Sequence, residues 1–241
     1  MPAVVTDALK RQIASDFFDQ FTSDQKKYYI GVGRSEQWDS NDLVPIPVNT
    51  PTEVSGLRDG LQAVKKVTGT SLVVPRNNWS SGLIYSQYDD QQGGYPTNPY
   101  YVMTDNNQVY ICLETGRNKL GVAQASSIEP VGSNNDSFRT SDGYVWKFIF
   151  TVSGERGNDF MSSNFMPVQL QLEIDSNSTG IQLKQKEIQE YAVAGEVLSC
   201  IITDGGAGYS VAPTATISGT GTGAFVDVTI DSSTGQVVRL R

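Results

Sequence analysis

The chain has 241 residues, 38% hydrophobic and 18% charged, and its 26 acidic residues outnumber its 18 basic residues. This length suffices for one large β domain or two smaller ones, with a core that needs no disulfide or metal. The net charge of −8 argues against nucleic acid or an anionic membrane as partner, and the absence of histidine excludes Ser-His-Asp triads and His-ligated zinc.

Two amphipathic helices are predicted in the N-terminal part. Apolar residues recur every four positions over about residues 6–21, the spacing that places them on one helical face. The aromatic and β-branched run at residues 28–33 predicts a strand. The sequence Thr50-Pro-Thr-Glu53 is typical of a capping box with proline at the first helical position, so a second helix is predicted over about residues 51–67.

Beyond residue 70 the apolar pattern changes to period two, which indicates half-buried strands. Segments 100–104 and 108–113 flank Asn107 and its neighbours, and predict a hairpin because Asn tolerates left-handed turn positions. Residues 144–152 carry aromatic side chains on one face and predict a central core strand. Residues 166–174 predict a strand with one wet face, in a sheet that we expect to be antiparallel. Further segments are a short strand at 71–75 and a long polar loop at 85–99 of the kind that often forms contact surfaces.

Near Gly195 the composition shifts toward Gly, Thr, Ser and Val, which predicts a boundary between a core (1–194) and a small module (195–241). The module is predicted to contain four short strands, at 197–203, 213–218, 224–231 and 236–240. The predicted fold is therefore mainly β: an antiparallel β-sandwich-like core with peripheral helices, plus a small C-terminal all-β module.

The two cysteines, Cys112 and Cys200, lie in apolar, strand-like runs and are interpreted as buried thiols rather than as a disulfide. No run reaches the roughly 18 apolar residues of a membrane span, and the N-terminus lacks the apolar core of a signal peptide. We expect a protein that stays where it is made and has no membrane partner.

Because the chain has no histidine, general acid/base catalysis would require a pair of carboxylates. The candidates in aromatic surroundings are Glu36, Asp39, Asp89, Asp90, Glu114 and Asp142. Since similar residues occur in any β-sandwich, we expect no enzyme activity. The glycine runs at 31–33 and 219–223 are not followed by a helix that would hold a phosphate, and residues 204–208 lack the repeated Asp spacing of calcium loops, so neither a cofactor nor a metal is expected.

Four stretches of the sequence follow one another in an order and at spacings that are typical of one family. They are Tyr28-Tyr-Ile-Gly-Val-Gly-Arg-Ser-Glu-Gln-Trp38, Val74-Pro-Arg-Asn-Asn-Trp79, Val109-Tyr-Ile-Cys-Leu-Glu114 and Asp142-Gly-Tyr-Val-Trp-Lys-Phe-Ile-Phe150. Together they resemble the baseplate wedge subunit of T-even-like contractile-tailed bacteriophages, the one present as two copies in each wedge. The resemblance covers about residues 20 to 152. The tail from about Gly195 resembles β modules of phage structural proteins, especially those of cyanophages.

The resemblance implies a mostly β fold, a homodimer, location in the virion tail baseplate, and a structural role joining neighbouring wedge proteins, with no catalytic residues. The residues that match its motifs are Arg34, Glu36, Trp38, Arg76, Trp79, Asp142, Tyr144 and Trp146. We expect Tyr144 and Trp146 to fill the core, and Arg34 and Arg76 to pair with Glu36 or Asp142. Trp38 and Trp79 lie in polar surroundings and are either interface anchors or local packing.

Two rival functions belong to other classes. The tyrosine-rich loop at 85–101 and the C-terminal β unit suggest a carbohydrate- or receptor-binding tail module. The carboxylates and aromatic residues suggest a tail-associated glycosidase. If the chain has a structural role in assembly, neither glycan binding nor sugar release is expected.

Overall fold

The computed structural model describes residues 6–23, 26–33, 49–90, 97–118, 120–169, 174–193 and 195–240. The chain divides into two units, Met1–Leu72 and Val73–Arg241. The boundary predicted near Gly195 would lie inside the second unit, and it stays a prediction.

The first unit begins with helix α1, Asp7–Thr22, which confirms the helix predicted over about residues 6–21. The Thr6 hydroxyl accepts a hydrogen bond from the backbone N–H of Leu9 at 3.3 Å, and so caps the helix N-terminus. The end of the helix is fixed by an aromatic cluster, in which the Phe21 ring lies 4.1 Å from the ring of Tyr28. This contact holds the helix against the start of the next strand.

A two-stranded antiparallel ribbon follows, and it corrects one prediction. Strand β1, Tyr29–Gly33, is confirmed, and helix α2, Pro51–Asp59, starts at the predicted capping threonine. The helix predicted over 51–67 is wrong beyond residue 59, because Leu61–Lys66 forms strand β2 paired with β1. Glycine is a poor helix former, and Gly60 ends the helix. The strand that follows supplies the backbone partners that β1 needs.

The second unit is built on a four-stranded antiparallel sheet. Strand β3, Leu72–Pro75, lies where this unit begins and pairs with a later strand, β8. The sheet itself has the order β4-β5-β7-β6, with β4 at Tyr101–Met103, β5 at Gln108–Glu114, β6 at Phe138–Arg139 and β7 at Val145–Thr151. The predicted hairpin between β4 and β5 is confirmed, and Asn107 in its turn has a left-handed φ of 57°.

The core lies on one face of strand β7, as its alternating pattern predicts. Alternate residues along this strand and at the two positions that flank it are buried, namely Tyr144, Trp146, Phe148, Phe150 and Val152. Rings from β5 and from a loop pack against them: Tyr110 contacts Phe148 edge-on at 5.7 Å between ring centroids, and Tyr85 contacts Trp146 at 5.5 Å. Such pairs favour the edge-to-face geometry that the ring quadrupoles prefer.

Two further helices were not predicted. Helix α3, Gly154–Phe160, is capped by Ser153, and helix α4, Gly180–Tyr191, begins with a capping box formed by Thr179 and Gln182. Between them strand β8, Phe165–Val168, confirms the first part of the strand predicted over 166–174, of which residues 170–173 lie outside the described residues. Helix α4 packs on β7 and buries Ile188 in the core.

The C-terminal strands are confirmed only in part. Strands β9, Val228–Ile230, and β10, Val237–Leu240, form an antiparallel hairpin. The strands predicted at 197–203 and 213–218 are wrong, because the structure forms no strand at either segment. Their apolar side chains reflect strand propensity, but a strand also needs a neighbour for its backbone groups, and the described residues supply none there.

The described part of the chain therefore mixes four helices with several small antiparallel sheets, which is compatible with the predicted mainly β fold. Both cysteines are free thiols, as expected. Cys112 is fully buried, whereas Cys200 is half-buried and not buried as predicted.

Candidate functional site

Four of the residues singled out by sequence lie together in the second unit, around a buried serine that sequence reasoning missed. The Trp79 indole N–H donates to Ser126 Oγ at 3.3 Å, and Ser126 Oγ donates to Asp142 Oδ2 at 3.0 Å. Tyr144 lies beside this chain, and its ring stacks on Trp146 with centroids 5.6 Å apart. We call Trp79, Ser126, Asp142, Tyr144 and Trp146 the Asp142 cluster.

The Asp142 carboxylate acts as a loop anchor. Besides Ser126 it accepts hydrogen bonds from the backbone N–H groups of Ser127 and Ile128, at 2.8 and 3.0 Å, and from Thr140 Oγ1 at 2.5 Å. Burial acts to raise the pKa of Asp142, but the four hydrogen bonds together outweigh it and hold the pKa below its ordinary value. A carboxylate that is ionised and saturated in this way stabilises the loop and is poorly placed to transfer protons.

The two aromatic members of the cluster fill the core, as expected. Tyr144 and Trp146 are fully buried, and Tyr144 Oη donates to the carbonyl of Gln124 at 2.6 Å and accepts from the N–H of Tyr85 at 3.2 Å. Burial raises the pKa of Tyr144 to about 12, so its hydroxyl stays protonated in neutral solution. A Cβ added to Gly116 would lie 2.7 Å from the Tyr144 ring, which explains the glycine there.

Trp79 and Arg76 make local contacts in the second unit, and the alternative role of Trp79 as an interface anchor stays a prediction. Trp79 is half-buried against the core cluster, and its backbone N–H donates to the carbonyl of Met103 at 2.9 Å. Arg76 donates to Asn78 Oδ1 at 2.8 Å and to the carbonyl of Ser162 at 3.3 Å. The expected pairing of Arg76 with Asp142 is therefore wrong, because the guanidinium is used by the neighbouring loop and the carboxylate by residues 126–128.

Three of the motif residues, Arg34, Glu36 and Trp38, lie outside the described residues, as does the acid/base candidate Asp39. The predictions made for them stay predictions.

Glu114 connects the sheet to the C-terminal tail. Its carboxylate forms an ion pair with Arg139 of strand β6 and accepts from Arg239 Nε of strand β10 at 3.1 Å. A second tail contact runs from the Gln87 amide to the carbonyl of Cys200, at 3.0 Å. Because two guanidinium groups surround Glu114, this carboxylate holds the tail on the sheet. Sequence analysis missed both arginines.

The described residues contain no group of three His, Cys, Asp or Glu side chains placed to hold a metal ion. Of the helices that can be described, none has the length and apolar character needed to cross a bilayer.

Large apolar side chains are exposed in both units. All eleven residues of strands β1 and β2 are exposed, and helix α2 buries none of its residues. In the tail, Val211 is 75% exposed and Phe225 is 80% exposed. Where such side chains form a contiguous patch, they mark a surface to which another molecule binds.

Comparison with models of known protein families found no match, and comparison with curated protein sequences found none either.

Proposed function

We propose that this chain is a non-enzymatic structural protein of a phage tail baseplate wedge. It links neighbouring baseplate proteins during assembly and during the rearrangement that host contact triggers. In this proposal the chain is located in the virion, acts as a homodimer, and has a β-sandwich-like core.

The observation that carries the proposal is the exposed apolar surface of the first unit. The outward residues of the ribbon include Ile30, 60% exposed, and Val64, 59% exposed, and helix α2 adds Leu57 at 70%. Leaving these side chains in water forgoes roughly 1.5 to 3 kcal/mol each, a cost that binding a partner removes. An assembly protein has such partners on several sides.

The arrangement of the second unit also fits a structural role. Its half-buried carboxylates, Asp142 and Glu114, are each held by several donors, so neither is placed as a general acid or base. The Asp142 cluster and the Glu114 ion pairs fix loops and the tail instead. This supports a rigid building block.

Light scattering of the purified chain, alone and mixed with each of the other baseplate proteins of its source, tests the proposal. We expect a dimeric mass for the chain alone at micromolar concentration, because a two-fold interface reuses one patch on both copies. In the mixtures we expect a complex of defined stoichiometry with at least one baseplate protein. A monomer that combines with none of them would contradict the proposal.

A carbohydrate- or receptor-binding tail module is the second candidate, favoured by one observation. Tyr88, 40% exposed, lies 5.3 Å from the Tyr100 ring, and Tyr100 lies 5.2 Å from Tyr101, so three tyrosine rings form a group that Asp89 and Asp90 follow in sequence after Tyr88. The exposed Tyr88 ring offers a face on which a sugar can stack. Binding of the isolated chain to a glycan array, abolished by Tyr88→Ala, would favour this candidate over assembly, and release of reducing sugar would indicate a glycosidase.

A further inference from the structure

The ribbon of strands β1 and β2 has one edge suited to accept another strand. Among the described residues neither outer edge of the ribbon is paired. Strand β2 ends in Lys65 and Lys66, and edge lysines discourage strand addition, whereas Tyr29–Gly33 carries no charge. The open edge is therefore that of β1.

The backbone groups at this edge can be assigned from the ladder. The N–H of Val67 donates to the carbonyl of Tyr28 at 2.9 Å, so Tyr28 and Val67 form a hydrogen-bonded pair. Antiparallel ladders alternate, and the register therefore directs the N–H and C=O groups of Tyr29 and Gly31 away from β2. These groups are available to an added strand.

One face beside the edge is an apolar groove. Ile30 pairs with Lys65 and Val32 pairs with Ala63, so these four side chains share a face. They line a groove of about 320 Å³ together with Val67. On the opposite face Leu61 lies over Gly31, where an added Cβ would be 2.9 Å from Leu61 Cδ2. Apolar side chains of an added strand thus have a place to bind on the first face only.

The end of the ribbon that holds the start of β1 is basic. Lys26 and Lys27 are separated from β1 only by Tyr28, and Lys65 and Lys66 pair with Ile30 and Tyr29 at the same end. Since the net charge of the chain is −8, the residues other than these four lysines carry a net charge of −12. The ion pairs between described residues involve none of the four lysines.

From these features we infer that the β1 edge binds an extended, acidic segment of a partner protein as a third, antiparallel strand. Its backbone pairs with Tyr29 and Gly31, alternate apolar side chains occupy the groove, and carboxylates at its C-terminal end lie beside the four lysines. A polyphosphate offers neither backbone donors nor apolar side chains, so a peptide fits the edge better. The inference rests on the proposed assembly function, for which it names the chemistry of one partner.

Fluorescence anisotropy with the full chain tests it. The probe is a fluorescein-labelled peptide, Thr-Val-Thr-Val-Thr-Asp-Asp, and the control peptide ends in Lys-Lys. We expect the Asp-Asp peptide to bind at least tenfold more tightly than the control. Equal binding of the two peptides, or binding of inorganic polyphosphate as tight as that of the Asp-Asp peptide, would overturn the inference.

Variants of the chain separate charge from edge pairing. Lys65→Glu with Lys66→Glu leaves this end of the ribbon with no net charge, because Lys26 and Lys27 remain, so the preference for the Asp-Asp peptide is expected to disappear. Tyr29→Pro removes one outward backbone N–H and leaves the hydrogen bonds between β1 and β2 in place. It should weaken binding of the Asp-Asp peptide at least fivefold. The matched control, Lys184→Glu with Lys186→Glu on helix α4, changes the net charge by the same amount and should leave binding of the Asp-Asp peptide unchanged. If this control weakened peptide binding as much as the lysine changes in β2 do, the assignment of the site to the β1 edge would be contradicted.

The result of the peptide-binding experiments is independent of the result of the light-scattering test. A chain that forms complexes with baseplate proteins but binds neither peptide would overturn the strand-binding site and leave the assembly function standing. A chain that binds the Asp-Asp peptide but combines with no baseplate protein would overturn the assembly function instead.

Discussion

Replacing Phe148 by alanine is expected to lower the free energy of unfolding of the second unit by about 3 to 5 kcal/mol. The Phe148 side chain is 1% exposed and lies on β7, an interior strand of the four-stranded sheet. Its ring contacts Tyr110, the residue opposite it in the ladder. The substitution leaves a cavity that the paired strands on both sides prevent from collapsing. Urea unfolding followed by tryptophan fluorescence measures the change.

Phe225→Ala is the matched control, because it makes the same chemical change at a side chain that is 80% exposed. This substitution is expected to lower the free energy of unfolding by less than about 0.5 kcal/mol. Equal unfolding midpoints for the two variants would mean that the aromatic face of β7 is not the core.

Glu114→Gln is expected to destabilise the second unit by about 2 to 3 kcal/mol and to release the tail. The Glu114 side chain is 21% exposed, and its carboxylate neutralises the half-buried guanidinium groups of Arg139 and Arg239. Glutamine leaves both positive charges close together without a counter-charge. Because the tail is held through Arg239, limited proteolysis should cut residues 195–240 faster than in the parent chain.

Two control variants separate these effects. Glu187→Gln makes the same change at an exposed ion pair with Lys184, where a much smaller loss of stability is expected than for Glu114→Gln. Arg239→Gln leaves Glu114 paired with Arg139, and should expose the tail to protease with only a small loss of stability. A tail that stays protected in both Glu114→Gln and Arg239→Gln would show that this contact does not hold it.

Local patterns predicted the parts of the fold that depend on local chemistry. The hairpin was predicted because Asn107 tolerates the left-handed backbone of its turn, and the core strand because its aromatic residues alternate strictly. Helix α1 was predicted from its apolar spacing alone. In each case neighbouring residues in the sequence determine the structure.

The parts that were missed depend on distant partners. Apolar residues three and four apart fitted a helix over 51–67, but the segment after Gly60 pairs with a strand about 30 residues earlier in the chain. The pairing of Glu114 with Arg239 joins residues 125 positions apart, and no local signal marks it. Four members of the Asp142 cluster were singled out as motif residues, with no prediction that they lie together. Ser126, which joins Trp79 to Asp142, carries no distinguishing pattern.

The most direct test of the proposed function is cross-linking mass spectrometry on purified phage particles of the source, with an amine-reactive reagent. The account predicts that the chain is present in the particles and that its lysines, above all Lys26, Lys27, Lys65 and Lys66 of the ribbon, are cross-linked to other baseplate proteins. Purified particles that lack the chain, or that hold it with cross-links only within itself, would contradict the account.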